Sequence, residues 1–481
     1  MRVSEHFNLG RTQPSLDFVD VDVNGDVAVF VDPRALRLLN TDWADECVSL
    51  IQHFFTSVLT AIRDGKDEKA RELLMHLREP NETHPGLSRG TSRGRALGEH
   101  SAYDLWEALS KSEATKHGLL EDLEDTILMV EGISSDIVSD IATNIIRYPL
   151  IRYTHEACAT YGIPLGGDVD SGPLWDPAAA NWHNQYVELP VIEDKRLLLV
   201  PKVIVRKRMG YDAEEYYRHY ILEYLRSAEI SANSDLVRLL KSGKRRGEPR
   251  VDIKALEEKY GKGKGVIVRE TLRNPSLLQT YRADKNKKLA PPLSHQDFAE
   301  LEGTEPPNWK QLLHAVHSLP AGKADATAYE SAIEKLLTPL LYPSLCHPQP
   351  QSQIHQGRKR IDITYTNMAT DGFFSWLAKH YSAPHVSVEC KNYLGEVANP
   401  ELDQLSGRFS PSRGQFGILV CRTFDNKNRF QQRCRDTADD KRGFIVSFDD
   451  ADLATLITLR EADDADAIFA FMKERFQRLV M

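Results

Sequence analysis

The last third of the chain switches repeatedly between two hydrophobic periods, and this alternation constrains the fold more than any other feature. The runs RKRIDITYTN (358–367), HVSVECKNY (385–393), FGILVCRTF (416–424) and GFIVSF (443–448) are short and rich in β-branched and aromatic residues. That composition predicts strands. Helical patterns lie around them. ATAYESAIEKLL turns Ile333, Leu336 and Leu337 inward, places Glu330 and Glu334 one turn apart, and is expected to end at Pro339. FFSWLAKHY predicts a short helix, Asn399-Pro400 reads as an N-cap followed by proline at the first helical position of PELDQLSGRF, and NRFQQRCRDTADD predicts a polar helix. A last helix carries Ile468, Phe469, Phe471 and Met472. Strands and helices in this order bury their apolar faces by packing helices on a sheet, so residues 324–481 are expected to form an α/β domain.

At 481 residues the chain exceeds what one ordinary core organises, which predicts two or three domains. Its 41% hydrophobic and 27% charged residues are those of a globular protein. The opening MRVSEHFNLG lacks an apolar signal core, and no apolar run approaches the ~18 residues of a membrane helix. The expectation is a cytoplasmic protein with no membrane partner. Six scattered cysteines without a CxxC pair predict reduced thiols rather than a disulfide framework or zinc ribbon. Cys346, His347 and His355 fall in a Pro/Gln-rich stretch without zinc-site spacing and read as loop residues.

A net charge of -9 argues against a surface that coats nucleic acid everywhere. The charge is uneven: from Lys202 to Lys288, 22 Lys and Arg stand against 12 Asp and Glu. A basic middle in an acidic chain predicts a localised anionic partner, with a solvated face as the alternative.

Residues 1–150 read as a mainly helical domain with an N-terminal β-hairpin turning at Asn24-Gly25, followed by a stripe of Ile51, Phe54, Phe55, Val58, Leu59 and Ile62 that Gly65 can end. Residues 151–290 read as a mixed, basic domain. GIPLGGDVDSGP has neither phosphate-loop spacing, and Tyr216, Tyr217, Tyr220 and Tyr224 recur at helical spacing, which favours packing over base stacking. KSGKRRGEPR and KYGKGKG place Lys241, Lys244, Arg245, Arg246, Arg250, Lys262 and Lys264 among glycines, a pattern suited to phosphate contacts. The stretch 291–323 reads as a linker.

In HVSVECKNY, strand alternation puts Val386, Val388 and Cys390 on one face and Ser387, Glu389 and Lys391 on the other. An acid and an amine side by side make either a solvent-facing pair or half of a metal site. Asp362 and Thr364 share the polar face of the preceding strand.

Glu330 on a helix, Asp362 on a strand and Glu389-x-Lys391 on the next resemble the PD-(D/E)xK, or restriction-endonuclease-like, superfamily over residues 324 to about 450. Ile361 stands where the motif's proline would. Gln404 falls where a RecB-like subset carries QxxxY, but the fourth residue on is Arg408. The resemblance implies a central mixed sheet flanked by helices and a Mg2+ cofactor that Mn2+ can replace. It implies Asp362, Glu389 and the Cys390 carbonyl as metal ligands, Lys391 as the group that orients or deprotonates water or stabilises phosphorane charge, and Glu330 as a completing carboxylate, with Glu334 its competitor. Gln404 would hold Lys391. The implied activity is phosphodiester hydrolysis by a DNA endonuclease in restriction or antiviral defence, with homo-oligomers compatible. Two alternatives are an RNA-directed nuclease and an inactive nuclease-fold binding or scaffolding protein.

Overall fold

The computed structural model describes residues 1–23, 25, 27–77, 80–83, 99–193, 195–240, 247–287, 290–392 and 397–481, with backbone only at 99–101. The chain is a mixed α/β protein, helical over most of its first 340 residues, with one five-stranded sheet near the C-terminus.

Helix α1 (Asp42–Arg63) starts where the Thr41 hydroxyl accepts the Ala44 amide, and buries the stripe of Ile51, Phe54, Phe55, Val58, Leu59 and Ile62. Gly65 follows it with φ +70°. After α2 (Asp67–Met75) and α3 (Ser135–Ile145), helix α4 (Arg147–Tyr161) runs across the 150/151 boundary. One apolar core takes in side chains from Val3 to Phe298, together with Tyr342, Cys346 and Met368, so residues 1–150 and 151–290 share their interior. Among the described residues, the two apolar runs flanking Asn24-Gly25 do not pair with each other. Phe30–Val31 instead pairs antiparallel with Val205–Arg206, and the Val19 amide donates to the Val200 carbonyl. Asn24 and Asp26 of the expected turn lie outside the described residues. Both runs are buried, and burial on both sides favours a partner from the later chain. Tyr216 and Tyr217 are buried, Tyr216 against the ring of Tyr281 at 4.9 Å, which makes them packing residues.

The stretch 291–323 carries helices His295–Glu302 and Trp309–His317. Phe298 packs in the first core, whereas Trp309 and Val316 pack in a second core belonging to the C-terminal residues. It is therefore an ordered bridge between two interiors.

The second core is built on α5 (Ala326–Leu341), β1 (Leu345–Ile354), β2 (Lys359–Asn367), α6 (Gly372–His380), β3 (His385–Lys391), α7 (Asn399–Ser406), β4 (Phe416–Cys421), α8 (Lys427–Asp439), β5 (Phe444–Phe448), α9 (Asp450–Glu461) and α10 (Ala465–Val480). Pro339 lies inside α5, which ends two residues later, and Asn399 is the first helical residue of α7 rather than its cap. Strand order is β1-β2-β3-β4-β5, antiparallel across β1-β2-β3 and parallel across β3-β4-β5. Parallel neighbours need crossovers, and α7 and α8 supply them. The Pro/Gln-rich stretch expected as loop is strand β1. Its Pro348 and Pro350 are tolerated because β1 is an edge strand, with a register shift between Cys346 and Gln349.

α5 packs on β1, β2 and β3, and α7 on β3, β4 and β5, so both helices reach the central strand. Gly443, just before β5, has φ +106°; a Cβ there would lie 2.8 Å from the Gln415 carbonyl oxygen and clash with the Cδ2–Cε2 edge of the Phe409 ring. Gly443→Ala should therefore destabilise the protein by about 2 kcal/mol or more, from backbone strain and the clash together. Chemical denaturation measures this; a loss below roughly 0.5 kcal/mol, the size of an ordinary surface change, would contradict it.

Candidate active site

Glu389 occupies β3, the middle strand, and has no exposed surface. The register Ile363↔Val388 continues by one step to set Asp362 opposite Glu389. Cross-strand residues on one face are neighbours, so two acids meet inside the sheet layer. Asp362 Oδ2 accepts the Cys390 amide at 2.8 Å. Glu389 Oε1 accepts from Lys391 Nζ at 2.7 Å and from Gln404 Nε2, while Lys391 Nζ also donates to Gln404 Oε1 at 3.2 Å. Gln404 thus clamps acid and amine together. Glu389 Oε2 is buried with no hydrogen-bond partner among the described residues.

The ion pair is not solvent-facing, since the Lys391 side chain is 14% exposed and that of Glu389 1%. Desolvating such a pair costs several kcal/mol per ion, so the arrangement is poor value as a stabilising device alone. Burial pushes the Glu389 carboxyl up to about 7, the Asp362 charge adds to this, and Lys391 and Arg408 act the other way. Burial also raises Asp362, against the Cys390 amide, Lys391, Arg360 and Arg408.

Glu330 is raised by burial and then by the Asp362 charge, and is lowered by Arg360, Lys391 and the hydrogen bond from Gln351 Nε2. It therefore feels the same cluster. Glu334, one turn later on α5, belongs elsewhere: its Oε1 accepts from Arg11 at 3.1 Å and from the Thr338 hydroxyl at 2.9 Å. The Cys390 side chain faces the second core, and burial pushes its thiol well up. Its backbone carbonyl is the only part of Cys390 that the resemblance makes a ligand.

Among the described residues, no three His, Cys, Asp or Glu gather in one ligand cluster. What is present fits a hard cation of modest demand. Magnesium keeps several waters and binds through one or two carboxylates; Asp362 and Glu389 are two, and the orphaned Oε2 is an oxygen without a proton donor.

Of the expected phosphate contacts, Lys241, Lys244, Arg245 and Arg246 lie outside the described residues. Arg250 is exposed, 3.7 Å from Asp252, and Lys262 is exposed and paired with Glu257 at 2.7 Å. Lys264 is corrected: its ammonium donates to the carbonyls of Val130 and Ile133 at 2.7 and 2.8 Å, and burial lowers its pKa. It ties two segments together and is half-buried. Arg408, Arg360 and Gln351 were not singled out by sequence reading, except for Arg408 as a mismatch to QxxxY. The charge of Arg408 acts on both Asp362 and Glu389, a placement that only the fold supplies.

A family model described as a domain of unknown function (DUF8370) matches residues 8–212, ending well before the sheet that carries these carboxylates. No curated protein and no solved structure matches the chain.

Proposed function

We propose that residues 324–481 form a magnesium-dependent phosphodiesterase of the PD-(D/E)xK kind that cuts nucleic acid, with DNA the preferred polymer by analogy to that superfamily. One observation carries the reading: a fully buried Glu389, opposite Asp362, has one oxygen clamped by Lys391 and Gln404 and the other without a hydrogen-bond partner among the described residues. Asp362, Glu389 and the Cys390 carbonyl would hold the cation, with manganese as a substitute. When bound, such a cation supplies a nucleophilic water at neutral pH and neutralises phosphoryl charge. Lys391, fixed by Gln404, presents its ammonium beside Glu389, where it orients the water or offsets charge on the phosphoryl oxygens. Glu389, raised by burial to about 7, supplies a carboxyl able to exchange a proton near neutral pH, and burial raises Glu330 as well.

A second reading, a nuclease-like fold that binds without cutting, draws on Glu389 Oε1 being already taken by two donors. The test is a cleavage panel of duplex DNA, single-stranded DNA and RNA with magnesium, manganese or chelator. Cation-dependent cutting that Asp362→Asn removes, with circular dichroism unchanged, is the expected result. Equal cutting by wild type and Asp362→Asn would reject the site, and binding without cutting of any polymer would favour the second reading. Cutting of RNA alone would make the enzyme RNA-directed. A nuclease joined to a large N-terminal unit suits a sensor-effector role in restriction or antiviral defence.

A further inference from the structure

The chain is acidic, yet two segments beside the carboxylates contain no acid at all. No Asp or Glu occurs between Glu334 and Asp362, nor between Asp403 and Asp425. The first segment holds Arg358, Lys359 and Arg360, and the second Arg408 and Arg413. The fold joins them. Lys359 Nζ donates to the Gly407 carbonyl at 3.1 Å, connecting the tip of the β1-β2 hairpin to the loop after α7, and Arg413 Nε donates to the Arg408 carbonyl at 3.1 Å. Arg358, Lys359 and Arg360 are exposed and Arg408 and Arg413 half-buried.

None of the five cations forms an ion pair with a described carboxylate, although many exposed and half-buried cations of this protein do. Arg358 Nε donates only to the His355 carbonyl of its own turn, and Arg408 Nε is buried without a hydrogen-bond partner among the described residues. His355 at the tip is held below its ordinary pKa, after burial, by Lys359, Arg413, Arg358 and Arg408, so the cations form one field. Arg360 and Arg408 also act on Asp362, which places the inner end of that field at the carboxylates. At 3.2–3.4 Å per strand residue, Lys359 lies roughly 10 Å along β2 from Asp362, about three phosphates of a duplex strand measured along its axis.

We infer that the β1-β2 hairpin tip and the loop after α7 form the contact surface for the phosphate backbone of the nucleic acid entering the Asp362–Glu389 site, an inference that rests on the phosphodiesterase reading. Cations without a described carboxylate partner, three exposed and two half-buried, beside a buried acidic pair match an anion that must be carried past negative charge. The surface is sequence-independent, because it offers charge and no base-reading element.

The test uses full-length protein, a labelled 20-mer DNA duplex and fluorescence anisotropy in chelator across a salt series. Replacing Arg358, Lys359 and Arg413 together by Gln should weaken binding by about tenfold or more near 100 mM salt and reduce the slope of log K against log salt by roughly two to three. Arg358→Gln alone breaks no contact between segments and should reduce the slope by about one with an unchanged melting temperature. Unchanged affinity and slope in both variants would overturn the inference, as would poly-glutamate competing as well as polynucleotide, which would assign the surface to an acidic protein. If the wild type binds with the steep slope, the triple variant loses it and nothing is cut with any metal, the contact surface stands and the phosphodiesterase reading falls. If the triple variant cuts with wild-type KM and salt response, the reverse holds.

Discussion

Lys391→Met is expected to lower cation-dependent cleavage by about 10²–10⁴-fold and, at pH 8, to cost the protein about 3–5 kcal/mol of stability. Both effects come from one atom, the ammonium that donates to Glu389 at 2.7 Å and to Gln404 at 3.2 Å. Without it Glu389 is a buried anion whose only remaining donor is an amide. The pH dependence identifies the mechanism. The folded-state pKa of Glu389 is raised to about 7 by burial and by Asp362, above its ordinary 4.5. A carboxyl raised in the folded state contributes stability that is present below 4.5 and lost as pH climbs through the folded value. Removing Lys391 removes an influence that lowers that value, so the variant loses more than the wild type as pH rises. The deficit should be small at pH 5, where Glu389 is protonated, and full at pH 8. Urea denaturation at the two pH values measures it; equal deficits would sink the assignment. Glu389→Leu combined with Lys391→Met should recover most of the stability, since an apolar replacement has no charge to desolvate, but no cleavage. Recovery of both would reduce the pair to packing.

Arg11→Met is expected to destabilise the protein by a comparable amount, about 3–5 kcal/mol, from a position far from the carboxylates in sequence. The Arg11 and Glu334 side chains are 11% and 3% exposed, and Arg11 Nη1 lies 3.1 Å from Glu334 Oε1. The guanidinium also sits over the Tyr161 ring, 5.1 Å from its centre. This pair joins the first core to α5, the helix that carries Glu330. Truncating Arg11 strands a buried carboxylate, and the added change Glu334→Gln should restore part of the loss by removing the stranded charge while leaving the Thr338 hydroxyl an oxygen to donate to. Thermal unfolding followed by tryptophan fluorescence reports the effect. A deficit under ~1 kcal/mol would mean the pair behaves as an exposed one.

Much of the C-terminal sheet is legible in the sequence. Strands β2 to β5 and helices α5 to α8 lie where alternation and turn residues put them, because the periods of 2 and 3.6 are local properties of the backbone. β1 was not legible, since prolines weigh against a strand unless its outer edge is known to be free. For the N-terminal runs around Asn24-Gly25 the turn chemistry suggested a local partner, and among the described residues Val200 and Val205 supply distant ones.

For the carboxylates the division is similar. Two-residue spacing alone determined that Glu389 and Lys391 share a face and that Cys390 does not, because side chains on a strand alternate whatever surrounds them. Whether that face is wet or dry was decided only by the sheet, in which β3 lies between β2 and β4 under α5 and α7. The choice of Glu330 over Glu334 needed Arg11, more than 300 residues away, to claim the second acid. Lys264 looked like its neighbours in a basic run until the carbonyls of Val130 and Ile133 accepted hydrogen bonds from its ammonium. Alternation is written into each residue's covalent geometry, whereas burial and charge pairing depend on which distant segments arrive alongside, and only the folded chain brings them there.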